Sequence, residues 1–159
     1  MRKKLGYVLS ERNIIINSQF AKEEFPQVFD FMLANRVLRQ ADYEAIGDKK
    51  LQNWLERRTI GLMLAESKKE WRPIMQNGEL KYEVKRERDG KCQICGTWLK
   101  YLYFIQNTLN GAELCAGSEC ITQYGLDKKQ LKEFKERVEI IQKIDRRQEL
   151  IDKTDGALQ

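Results

Sequence analysis

Hydrophobic and polar positions divide this chain into segments of different period. Residues 5–20 (LGYVLSERNIIINSQF) gather β-branched and aromatic side chains around Ile14-Ile15-Ile16 and predict extended backbone. From Glu23 the period becomes helical. Phe25, Val28, Phe29, Met32, Leu33 and Val37 recur at three- and four-residue steps, predicting an amphipathic helix that ends near Gln40. Asp42 is placed to cap a short turn, and Gly47-Asp48 interrupts the chain before a second helix. That helix carries Leu51, Trp54, Leu55, Leu62 and Ala65 on one side, widened by Ile60, Met63 and Leu64, and is expected to reach about Lys69. Such stripes predict helical core rather than a cofactor site. Pro73 and Asn77-Gly78 punctuate next. Leu80, Tyr82 and Val84 then alternate with charged residues, as in a half-exposed strand closed by an Asp89-Gly90 turn. Asp127 to about Lys153 predicts one long helix, with Leu131, Phe134, Val138 and Ile141 as its face and Ile144 and Ile151 extending it. Two short heptads fit a coiled coil or a docked amphipathic helix, and docking is the expectation.

The stretch between these patterns, CQICGTWLKYLYFIQNTLNGAELCAGSEC, is different in kind. It holds all four cysteines of the chain, Cys92, Cys95, Cys115 and Cys120, spaced as C-x2-C, nineteen residues, then C-x4-C. Zinc takes four soft ligands in a tetrahedron, and two residues between thiolates let one tight turn deliver both sulfurs to one ion. The glycine after Cys95 suits such a knuckle, because backbone amides there can point at the sulfurs. TWLKYLYFIQN is a β-prone run, Asn110-Gly111 predicts a two-residue hairpin turn, and AELCAG supplies the return strand. Ser118 stands where a helix N-cap belongs, which puts Cys120 in the first turn. Knuckle, hairpin and a ligand at a helix start are the arrangement of a treble-clef zinc finger. Two disulfides, or four ordinary buried thiols, are the alternatives, and neither accounts for the paired ligand spacings.

Composition narrows the chemistry. At 159 residues, with 42% hydrophobic and 33% charged residues, the chain is of single-domain size. The basic start Met1–Ser10 is followed by Glu11 and Arg12 too soon for a signal-peptide core, and no run approaches the roughly 20 apolar residues of a membrane span. A soluble protein of a reducing bacterial cytoplasm is therefore expected, where clustered cysteines serve more often as metal ligands than as disulfides. Four thiolates around Zn²⁺ would lower the formal charge of +5 to about +3, mildly basic. The chain has no histidine. That removes Ser-His-Asp and Cys-His arrangements and the histidine of HNH nucleases, and four thiolates would leave zinc no open catalytic position. The expectation is structural zinc and no enzyme. Lys81, Lys85, Arg86, Arg88, Lys91 and Lys100 cluster near the first knuckle, interleaved with Tyr82, Trp98, Tyr101 and Tyr103. Such a mixture could grip phosphates and stack bases, although Glu83, Glu87 and Asp89 dilute its field. The C-terminal helix is nearly balanced, nine basic against seven acidic residues over 127–153, as on a solvated, pair-rich face.

The run from Cys92 to Ile121 resembles the cysteine core of small zinc-binding proteins of phages and mobile elements of low-GC Gram-positive bacteria. There a C-x-x-C-G knuckle precedes an aromatic strand, an N-x-x-x-G turn and a G-S-x-C-I helix start, a pattern matched over about residues 91–125. The resemblance implies the zinc ligands and the local fold. The chain's length and helical first half also resemble the zinc-containing type II-A anti-CRISPR proteins of streptococcal prophages. That likeness implies a direct inhibitor of Cas9 that hinders loading of target DNA. Many Cas9 inhibitors are acidic DNA mimics, so a basic chain implies docking on an acidic patch of Cas9, over an interface on the order of 1,600 Å².

The expected fold is α+β: a mainly helical region over 1–78, and a four-cysteine zinc hairpin with a long C-terminal helix over 79–159, forming one compact unit. The expected cofactor is one structural Zn²⁺ on Cys92, Cys95, Cys115 and Cys120. Lys85, Arg86, Arg88, Lys91, Trp98 and Lys100 are the candidate partner contacts. The resemblance implies a phage-encoded Cas9 inhibitor, with a nucleic-acid-binding accessory protein of a phage or mobile element as the alternative.

Overall fold

The computed structural model describes residues 6–158, so Leu5, at the start of the segment expected to be extended, lies outside them. The fold is α+β. Its first part consists of short helices: α1 (Leu9–Ile15), α2 (Gln19–Glu24), α3 (Pro26–Ala34), α4 (Gln40–Glu44), α5 (Lys49–Trp54) and α6 (Arg57–Ser67), followed by a 3-10 turn at Lys68–Glu70. The extended segment expected over 5–20 is thus helical from Leu9. Glu11 accepts the Val8 amide across the first turn of α1, and the Ser18 hydroxyl accepts the Ala21 amide at the start of α2. Ile14 and Ile15 are both fully buried because α1 packs against α6 on one side and the turn at 121–125 on the other.

The helix expected from Glu23 to Gln40 is three pieces. Phe25 leaves helical geometry (φ −133°, ψ 56°) because Pro26 follows, and Pro26 then opens α3. At the other end, the Asn35 side chain donates to the Phe31 carbonyl and closes α3. Asp42 lies inside α4 rather than capping a turn, and Asp48 caps α5 through the Lys50 and Leu51 amides. The helix expected from there to Lys69 breaks at Leu55. Its carbonyl accepts the Gly6 amide at 2.8 Å, so it is not used to continue the helix. Beside the break, Arg57 meets the buried Glu11 carboxylate through both terminal guanidinium nitrogens, with Nη2 to Oε2 at 2.9 Å.

Strand pairs build the second part: β1 (Trp71–Pro73), β2 (Met75–Gln76), β3 (Glu79–Leu80), β4 (Tyr82–Val84), β5 (Gly90–Lys91), β6 (Trp98–Leu99), β7 (Tyr101–Asn107) and β8 (Glu113–Ala116). The long β7 is the centre. Along one edge β1 and β4 pair end to end with its two halves, and β8 pairs along the other, all antiparallel. Asn77 and Gly78, both at positive φ (54° and 79°), form the tight turn between β2 and β3, which interrupts the edge between β1 and β4. The expected two-residue turn at Asn110-Gly111 is a wider loop. Asn107 Oδ1 accepts the Leu109 and Asn110 amides, and the Asn107 backbone closes the loop with Ala112.

After β8, α7 (Ser118–Cys120) and a π turn (Ile121–Gly125) lead to α8 (Lys128–Leu158). Gly117, not Ser118, is the N-cap of α7. Leu99 fills the space beside Gly117, where a Cβ would stand 2.5 Å from its Cδ1. One hydrophobic core joins Ile14, Met32 and Ile60 from the helices to Trp71, Ile105 and Leu114 from the sheet and Phe134 from α8. Among the described residues no helix is long and apolar enough to cross a membrane.

Candidate metal centre

Residues 92–97 form the knuckle that connects β5 to β6. The Gly96 amide donates to the Cys92 carbonyl at 2.8 Å and the Cys92 amide to the Thr97 carbonyl at 2.9 Å, with Gly96 at φ +82°. An L side chain is strained in that conformation, so the glycine after Cys95 is what lets the turn close. Ile94, between the two cysteines, is fully buried, and its carbonyl accepts Asn13 Nδ2 at 2.8 Å. Gln93 ties the knuckle to β8: its amide donates to the Cys115 carbonyl, and its Oε1 accepts the Cys115 amide, both at 2.8 Å.

This scaffold brings Cys92 and Cys95 to Cys120 from α7. The three sulfurs lie within 4.8 Å of one another. A tetrahedral ion with metal–sulfur bonds of about 2.3 Å holds its sulfurs roughly 3.8 Å apart, so the trio is close to chelating geometry with soft donors of the right kind. The site can hold a metal. Cys115 is not part of the trio. Leu114 and Ala116 are buried on either side of it in β8, so strand alternation turns Cys115 away from the core those two face, and its Sγ lies 3.9 Å from the carbonyl oxygen of Lys91, the residue before Cys92.

The thiols differ electrostatically. Burial raises the Cys95 pKa, but hydrogen bonding between Cys95 and the Thr97 side chain (3.1 Å) and backbone, and with Cys120 and Cys92, outweighs it and leaves the thiol lowered. Cys120 is raised, by burial first and then by its neighbours Cys95 and Cys92. Burial also raises Cys115, with the charges of Cys92 and Glu83 adding to it.

The candidate partner contacts divide into two sets. Lys85, just past β4, is paired with Glu83, and Lys100, between β6 and β7, with Glu149 and Asp145 of α8. These carboxylates raise both lysine pKa values. Arg86 and Arg88 on the loop after β4, Lys91 on β5 and Trp98 on β6 are exposed. Lys91 and Trp98 are cross-strand partners, and Trp98 is 57% exposed. An open groove of about 440 Å³ runs beside the trio, bordered by Arg88, Leu99, Tyr101, Glu119 and Gln142. The supporting roles of Asn13 and Gln93 carry no signal in the sequence, since each acts through a bond to a remote backbone group.

No protein family, curated protein or solved structure matches this chain.

Proposed function

We propose that the protein is a non-enzymatic, zinc-stabilised module that binds nucleic acid in a reducing bacterial cytoplasm. Zinc is the ion that best suits thiolate donors in such a knuckle, held by Cys92, Cys95 and Cys120 with Cys115 as its fourth ligand. Its role is to stabilise a β5–β6 hairpin too small to be stable alone. The observation that carries the binding role is the exposed pair Lys91 and Trp98 on that hairpin, next to Arg86 and Arg88. A cation beside an exposed indole is what a phosphodiester chain with stackable bases requires. With Lys85 and Lys100 engaged by carboxylates, the surface is narrower than the sequence implies. The test is binding of labelled DNA and RNA by the metal-loaded protein over a range of salt. A log-linear fall of affinity with salt is expected, and no binding at low salt would refute the role.

The second reading, direct inhibition of Cas9, rests on the likeness of the whole chain, in its length, helical first half and four-cysteine core, to the zinc-containing type II-A anti-CRISPR proteins. It is decided by target-DNA cleavage with guide-loaded streptococcal Cas9, the protein being added before or after the DNA. Loss of cleavage only when the protein comes first supports an inhibitor of DNA loading. Full cleavage in both orders across several Cas9 orthologues rules it out.

A further inference from the structure

On the α1 side of the knuckle lies a cleft of about 350 Å³ whose charged lining residues are Arg12 from α1, Arg36 from the segment after α3, and Lys91 from β5. Residues far apart in sequence therefore place three cations on one concavity. No carboxylate lines it, and among the described residues none of the three forms an ion pair. Among the described residues carboxylates pair with Arg57, Lys69, Lys85, Lys100 and Arg137, so an unpaired cation is ordinary here, and what sets this place apart is that three of them converge on one cleft without a carboxylate in its lining. Arg12 is also held in place: Nε donates to the Met32 carbonyl at 2.8 Å and Nη1 to Asn13 Oδ1 at 3.1 Å, leaving Nη2 for a ligand. A guanidinium fixed in this way presents its donors without the usual loss of side-chain freedom. Asn13 and Gln93 add amide groups to the wall, although both are partly used in holding the knuckle. Cys92 lies buried at the cleft's floor, and a metal bound there would neutralise much of its thiolate charge.

We infer that this cleft is the phosphate-binding part of a single-stranded nucleic-acid site. The inference rests on the nucleic-acid reading above. Arg12, Arg36 and Lys91 hold backbone phosphates, and Trp98, the cross-strand partner of Lys91, stacks a base. The link between the two is the register of the hairpin. Lys91 and Trp98 are directly opposed on β5 and β6, and opposed residues project from the same face. A double helix keeps its bases stacked on one another, so an exposed indole beside a phosphate cradle fits a single strand.

The experiment is fluorescence anisotropy of a labelled oligodeoxythymidylate of about twelve nucleotides with the metal-loaded full chain, over a range of salt. Arg36→Ala and Lys91→Ala, both at exposed positions, should each weaken binding and flatten the log–log salt slope by about 0.7, the single-strand increment per phosphate contact. Trp98→Ala should weaken binding about tenfold with the slope unchanged, because stacking releases no counterions. Lys132→Ala on α8 serves as the control and should change neither. If the oligonucleotide binds but both cation variants keep the wild-type slope, the cleft assignment fails while the nucleic-acid reading stands. If nothing binds at low salt, both fail. Inorganic phosphate or a duplex competing as well as the unlabelled single strand would overturn the single-strand assignment.

Discussion

Thiols crowded together cannot all ionise without a cation among them, and here they are unequal before any metal arrives. Cys95 is lowered while Cys120 beside it is raised, by burial and then by Cys95 itself. A metal removes that conflict by binding both as thiolates, so its binding energy becomes folding energy, on the order of 10 kcal/mol of apparent energy in zinc-finger peptides. Cys95→Ser is therefore expected to lose stoichiometric zinc and the cooperative thermal transition of the sheet region, with metal measured by a chromophoric chelator and unfolding by circular dichroism. Cys115→Ser should keep the metal at reduced affinity, because the other three sulfurs are already gathered. The reverse pattern, with zinc kept in the first variant and lost in the second, would mean that the trio is not the heart of the site. The C-x2-C knuckle was legible because its ligands and its glycine lie within a few residues. Which face Cys115 takes depends on the register of β8 against β7, a long-range property that ligand spacing does not report.

Elements are where sequence and structure differ most. The β7 run and α8 follow from local composition and period. The Ile14-Ile15-Ile16 run reads as strand because consecutive apolar residues usually mean one, but α1 is covered on two sides and buries neighbours in sequence. What fastens α2 to the sheet is equally remote. Glu70, only 4% exposed, accepts the Ser18 hydroxyl, the Gln19 amide at 2.7 Å and Asn107 Nδ2 at 3.3 Å. Asn107 Nδ2 in turn donates to the Asn17 carbonyl at 3.1 Å, so one carboxylate joins α2, the 3-10 turn and the end of β7. Removing it takes the shared acceptor from these donors and from the Phe20 amide at 3.4 Å, with Ser18 and Asn107 among them buried. Glu70→Ala is expected to cost about 3 kcal/mol in urea unfolding, and Glu70→Gln, which keeps an acceptor, about 1 kcal/mol. A cost for Glu70→Ala no larger than that of the exposed Glu139→Ala would show that this junction does not hold the two regions together.

At the scale of the whole molecule, α8 is docked over its first half, and its apolar pattern divides accordingly. Phe134 and Val138 are buried, with the Phe134 ring edge-on to Tyr103 at 5.9 Å between centroids. The docked stripe then continues in polar form: Gln142 donates to the Tyr103 hydroxyl at 3.2 Å, the Tyr101 hydroxyl to Asp145 at 2.6 Å, and Lys100 reaches Glu149. Ile144, which extends the same face in the sequence pattern, falls off the stripe and is 63% exposed, as are Ile140 and Ile151 to similar degree. The 3.6-residue period explains this: positions 134, 138, 142, 145 and 149 follow one side of the helix, and 140, 144 and 151 follow another. Burial rather than hydrophobicity should then set each residue's contribution. Phe134→Ala should destabilise the protein by about 3 kcal/mol in urea unfolding, as a large-to-small change in a packed core does. Ile144→Ala should stay within about 0.5 kcal/mol of the parent, as for a surface position without structural partners. If Ile144→Ala instead costs as much as Phe134→Ala, and the cost grows with protein concentration, α8 is covered in solution by a second copy of the chain, and a folded monomer is not the stable state.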